Sequence, residues 1–84
     1  MIQYFERFLK SMNYCVEAKH NDNCLKVVEE LKDKLSSLDF YESKNQIDYC
    51  FSLGGDGTLL RSISKYYTKS PIFVGINLGN LGFL

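Results

Sequence analysis

The sequence predicts an α/β fold, a parallel three-stranded sheet with crossover helices. Three observations predict it. Helical and extended apolar periods alternate along the chain, as they do where helices cross between parallel strands. Ile72-Phe73-Val74-Gly75-Ile76 is nearly continuous in apolar character, the mark of a strand covered on both faces. The cluster Gly54-Gly55-Asp56-Gly57-Thr58 stands between a strand pattern and a helix pattern, where open α/β sheets bind ligands. Crossovers in such a sheet wind right-handed.

The elements follow in order. Ile2, Phe5, Phe8, Leu9 and Met12 recur at helical steps, with Asn13 closing that helix. Tyr14-Cys15-Val16-Glu17-Ala18 is short and extended, and His20 ends it at the surface. Asn21-Asp22-Asn23 offers N-caps for a second helix, whose apolar stripe is Leu25, Val28, Leu31, Leu35 and Leu38. The polar stretch from Asp39 to Gln46 reads as a loop. Ile47-Asp48-Tyr49-Cys50-Phe51-Ser52-Leu53 carries large side chains at every second position, as a strand does. Leu59, Leu60, Ile63 and Tyr67 then repeat at helical spacing, with Tyr66 and Tyr67 packing at its end. Pro71 stops that helix ahead of the last strand.

Composition bounds the function. The 84 residues suffice for one small domain, and 45% hydrophobic content with zero net charge argues against disorder. Ten basic and ten acidic residues leave no electrostatic footprint for nucleic acid or an anionic membrane. No apolar run approaches the roughly 20 residues of a membrane span. Glu6 and Arg7 interrupt what would be the apolar centre of a signal peptide, so a cytoplasmic protein is expected. The three cysteines, Cys15, Cys24 and Cys50, form no C-x-x-C pair and read as buried small hydrophobes in a reducing compartment. His20 has no partner at ligand spacing, so no metal site is expected. The helical start and the closing glycine-rich Asn77-Leu78-Gly79-Asn80-Leu81-Gly82-Phe83-Leu84 make both ends look cut. The expectation is the first part of a larger α/β protein.

Three glycines within four residues let a ligand approach the backbone, and the amides opening the next helix favour phosphate. The spacing is not that of the dinucleotide fingerprint, which would need glycine at Leu60, nor of a P-loop, which would need it at Leu59. Asp56 is the distinctive member. A carboxylate repels phosphates, so a purely binding loop would avoid it, whereas phosphoryl transfer uses it to take the proton of an attacking hydroxyl. The plainer reading of Asp56 is a helix cap, worth about 1 kcal/mol. Gly75, Gly79 and Gly82 mark a second loop on the same sheet edge, with Asn77 and Asn80 as polar groups there. Phe83 either offers a ring face to a base or belongs to the core of a following segment. Arg61, one turn into the helix, either reaches a phosphate or is a solvated residue stacked before Lys65.

Leu53-Gly54-Gly55-Asp56-Gly57-Thr58-Leu59-Leu60 followed by Gly75-Ile76-Asn77-Leu78-Gly79-Asn80-Leu81-Gly82-Phe83-Leu84 resembles the N-terminal domain of the NAD kinase family. The first motif is shared in variant forms with lipid and sugar kinases; the second is more specific. The resemblance implies an incomplete Rossmann-like N-terminal domain spanning residues 1–84, without the family's β-rich C-terminal domain. It implies ATP-dependent phosphorylation of the adenosine ribose 2′-hydroxyl of NAD to give NADP, with a divalent metal such as Mg accompanying ATP. It implies Asp56 as catalytic proton acceptor. Gly57, Arg61 and Phe83 would line the dinucleotide site, and Gly54, Gly55 and Thr58 the phosphate cradle. It also implies a homo-oligomer at full length and no kinase activity from these residues alone. Another kinase with this first motif, acting on a lipid or sugar, is the alternative, as is a non-catalytic nucleotide- or phosphate-binding module.

Overall fold

A computed structural model describes residues 12–78. The helix expected from Ile2 to Met12 falls almost entirely outside them, as do Gly79, Asn80, Gly82 and Phe83 of the second loop. Met12 and Asn13, expected to end that helix, instead open the first strand.

Strand β1 spans Met12–Ala18 and helix α1 spans Asp22–Ser37. Strand β2 is Phe40–Glu42 and strand β3 is Tyr49–Gly54. Helix α2, Asp56–Tyr66, runs into a 3-10 turn at Tyr67–Lys69, and strand β4 is Ile72–Asn77. The sheet is parallel throughout, with order β2-β1-β3-β4.

The sheet therefore has four strands, not three. The additional one lies inside the stretch read as loop. Three residues, two of them exposed, are too few to show a period, and the ladder to β1 is what makes Phe40–Glu42 a strand. No helix separates β2 from β3, for a geometric reason. Tyr14 is the register partner of both Glu42 and Tyr49, so β2 ends at the level where β3 begins. The link then only steps past β1, held by the Ser43 amide on the Tyr14 carbonyl (2.9 Å) and the Asp48 amide on the Asn13 carbonyl (2.8 Å).

Asn21 caps α1, its Oδ1 accepting from the Cys24 amide at 2.8 Å. Cys24 and Leu35 are the buried residues of that helix, while Leu25 and Leu38 at the ends of the expected stripe are exposed. The expected stripe of α2 fares worse. Leu60, Ile63 and Tyr67 face outward, and Thr58, Ser62 and Tyr66 form the buried line. Small residues let this helix lie close on the sheet, and the Ser62 hydroxyl satisfies itself on the Thr58 carbonyl at 2.9 Å. Tyr66 completes the line by donating its hydroxyl to Glu17 on β1 at 3.0 Å; Lys65 reaches the same carboxylate oxygen at 3.1 Å.

The core under α2 consists of Cys15, Ile47, Cys50 and Tyr66, with Phe73 packed against it. On the α1 side, Tyr14, Phe40, Tyr49 and Phe51 form a chain of ring contacts with centroids 5.8–6.4 Å apart. The cysteines are free and buried, as expected from their number and spacing.

Candidate functional site

The chain leaves β1 toward one edge of the sheet to form β2, then returns past it so that β3 leads to β4 on the other side. Connections diverge at the carboxyl ends of β1 and β3, which is where such sheets open a crevice. The Lys19 amide bonds the Leu53 carbonyl at 3.0 Å and holds the two strand ends together there.

Gly54 ends β3 with φ at +150°, a conformation that favours glycine. Gly55 is the N-cap of α2 and Asp56 its first helical residue. No side chain caps this helix. The cap reading of Asp56 is therefore corrected: a cap lies one position earlier, where Gly55 has no side-chain oxygen to offer. The first-turn amides of Asp56, Gly57 and Thr58 precede the first intrahelical donor, so the helix opens on uncapped donors and its positive dipole end.

Two hollows flank this turn. One, of about 110 Å³, lies between the ends of β3 and β4 and is lined by Ser52, Gly54, Gly55, Asp56, Leu59, Gly75, Ile76 and Asn77. The other, of about 260 Å³, lies on the β1 side and is lined by Lys19, Gly55, Gly57, Thr58 and Arg61. Gly55 borders both, so the glycine turn is the ridge between them. The two sequence loops do meet: Gly54 and Asn77 are register partners, and the Leu78 amide bonds the Gly54 carbonyl at 3.0 Å.

The glycines differ in what requires them. A Cβ at Gly54 would lie 2.6 Å from the Thr58 hydroxyl oxygen, and one at Gly75 would touch Leu59 at 3.4 Å. At Gly55 and Gly57 a Cβ would meet nothing within 4 Å, and neither has positive φ. Packing does not ask for glycine at these two positions.

The structure thus brings Gly54, Gly55, Asp56, Gly57, Thr58, Arg61 and Asn77 to one sheet edge. Phe83 lies outside the described residues. Sequence reading missed Lys19 and Ser52. Lys19 reaches the site only because β1 and β3 are neighbours, which strand patterns alone do not disclose. Ser52 had a weak signal, a polar residue on the inward face of a buried strand two positions before the glycines.

Among the described residues no three His, Cys, Asp or Glu gather within reach of a common metal ion. Burial, joined by a hydrogen bond with Cys15, pushes the Cys50 thiol up to about 12. Burial also raises Cys15. No helix among the described residues is long and apolar enough to cross a membrane.

The family model for the ATP-NAD kinase N-terminal domain matches residues 6–84. The chain belongs to the NAD kinase family. It is 40% identical over 65 residues to an NAD kinase of Rickettsia peacockii, covering 77% of this chain and 24% of that protein. It is 31% identical over 74 residues to NAD kinase 1 of Bacillus cereus, covering 86% of this chain and 28% of that protein. The Rickettsia africae NAD kinase is 37% identical over 65 residues, 77% of this chain and 24% of its own length. The chain thus spans about a quarter of the length of these curated relatives. Its fold, a parallel sheet with helices, agrees with the N-terminal, Rossmann-like domain expected of such a family member.

Proposed function

We propose that this chain forms the phosphoryl-transfer edge of an NAD kinase, in which the γ-phosphoryl of ATP passes to the adenosine ribose 2′-hydroxyl of NAD. One observation carries the reading. Asp56 opens α2 as an exposed acid with no capping role, between two glycines whose Cβ positions are open space. Neither packing nor helix termination accounts for that arrangement. A ligand that must approach backbone amides beside a carboxylate does.

The first-turn amides of α2 and the cations Lys19 and Arg61, on the same hollow, hold phosphoryl oxygens. Asp56 orients the acceptor hydroxyl. As the hydroxyl oxygen bonds to the γ-phosphorus, the bond from that phosphorus to the donor's bridging oxygen breaks and ADP leaves with the electron pair. The hydroxyl proton passes late to the Asp56 carboxylate, because an alcohol becomes acidic only as it bonds to phosphorus. A divalent ion such as Mg would be held chiefly by the donor's phosphate oxygens and its own waters, with Asp56 the one carboxylate lining either hollow, and would offset negative charge on those oxygens. A cytoplasmic homo-oligomer, in contact with NAD and ATP rather than nucleic acid or membrane, belongs to the same reading.

The test is Asp56→Asn in the complete protein carrying this chain. NAD binding should persist while turnover falls by roughly 10²-fold or more, the range a positioned acid-base group contributes. Loss of binding with turnover per bound substrate intact would contradict the assignment.

A further inference from the structure

Ser52 is 2% exposed, and its hydroxyl is the one buried side-chain polar atom without a hydrogen-bond partner among the described residues. A buried hydroxyl left unpaired is costly, and native folds seldom retain one without a partner such as a bound water. Ser52 shares a sheet face with Gly54 and is the register partner of Gly75, over which the Leu59 side chain packs without offering a polar partner. Ser52 and both glycines border the hollow of about 110 Å³ that Asp56 and Asn77 also line. Its volume exceeds what one water needs, and its lining supplies the several polar partners that a held water requires.

We propose that Ser52 anchors an ordered water at the floor of this hollow and, through it, positions the carboxylate of Asp56. The water accepts from or donates to the Ser52 hydroxyl and donates to the Asp56 carboxylate, so that an exposed acid keeps one orientation toward the mouth of the site. Ser52 is a positioning residue in this arrangement and does not touch the reacting atoms. The inference rests on the reading of Asp56 given above only for its purpose, since the water and its link to Asp56 exist or not independently of turnover.

The experiment uses the complete protein carrying this chain in three forms: wild type, Ser52→Ala, and Ser52→Thr, which keeps the hydroxyl. Water-to-protein cross-relaxation in NMR should show a long-lived water at Ser52 in wild type and Ser52→Thr and none in Ser52→Ala. The carboxyl carbon resonance of Asp56 should shift in Ser52→Ala and return in Ser52→Thr, and the melting temperature should fall by a few degrees and recover in the same way. No long-lived water in wild type, an unmoved Asp56 resonance, or a melting temperature unchanged or raised in Ser52→Ala would overturn the proposal. A raised value would mean that the hydroxyl is a plain unpaired group whose removal relieves the fold. Failure of Asp56→Asn to lose turnover in the complete protein would instead count against the catalytic reading and leave these three readouts standing.

Discussion

A Cβ on Gly54 would stand 2.6 Å from the hydroxyl oxygen of Thr58, the buried residue four positions on. Strand and helix approach so closely here that the turn between them has room for a hydrogen and nothing larger. Gly54→Ala should therefore destabilise the chain by about 2 kcal/mol or more, combining backbone strain at positive φ with the clash. Chemical denaturation would show it as a lower midpoint. A change within 0.5 kcal/mol, roughly the spread of neutral surface substitutions, would mean the turn relaxes freely.

The buried thiols and tyrosines make stability depend on alkaline pH, in a direction that can be worked out. Cys50 rises from its ordinary 9.0 to about 12, and Tyr66 and Tyr14 are raised above 10.0, in each case chiefly by burial. A group that holds its proton more tightly when folded stabilises the fold fully below its unfolded pKa and loses that contribution as pH climbs through the folded one. The melting temperature should hold steady up to about pH 9 and fall from there toward pH 12. Cys50→Ala has no proton to lose at that position. It should melt lower than wild type at pH 7, yet show a shallower alkaline decline.

Asn21→Ala should cost about 1 kcal/mol, because the Cys24 amide loses the Oδ1 acceptor 2.8 Å away. Serine or aspartate at position 21 should restore most of it. Equal destabilisation by Asn21→Ser and Asn21→Ala would remove capping as the cause.

NADP formation by the 84 residues alone should not exceed a no-protein blank in a coupled assay. The relatives that carry the activity in their names are about three times as long. Turnover above the blank would place the whole chemistry within this segment.

The glycine turn and its neighbours were legible in the sequence because their information is local. Strand pattern, glycines and helix pattern follow one another without interruption from Tyr49 to Tyr66, and the Asn77 end of β4 falls beside Gly54 once parallel crossovers are assumed. What escaped depends on non-local pairing. Phe40–Glu42 is a strand only through its ladder to β1. Lys19 joins the site only because β1 lies next to β3. The outward face of Leu60, Ile63 and Tyr67 defeated the periodicity argument, since apolar residues alone do not say which side of a helix meets the sheet; Thr58 and Ser62 do. The cap reading of Asp56 was open in the sequence because the helix start is not fixed there to within one residue; the structure puts the N-cap at Gly55.

The claim on which the account depends is that Gly55 and Gly57 are glycines for the sake of a ligand and not of the fold. Gly57→Ala in the complete protein, with unfolding and ATP and NAD binding measured on one sample, tests it most directly. With no atom within 4 Å of the added carbon, stability should stay within about 0.5 kcal/mol of wild type or rise slightly, while affinity for at least one of the two nucleotides falls tenfold or more. Unchanged affinity for both nucleotides in a normally folded Gly57→Ala protein would contradict the account.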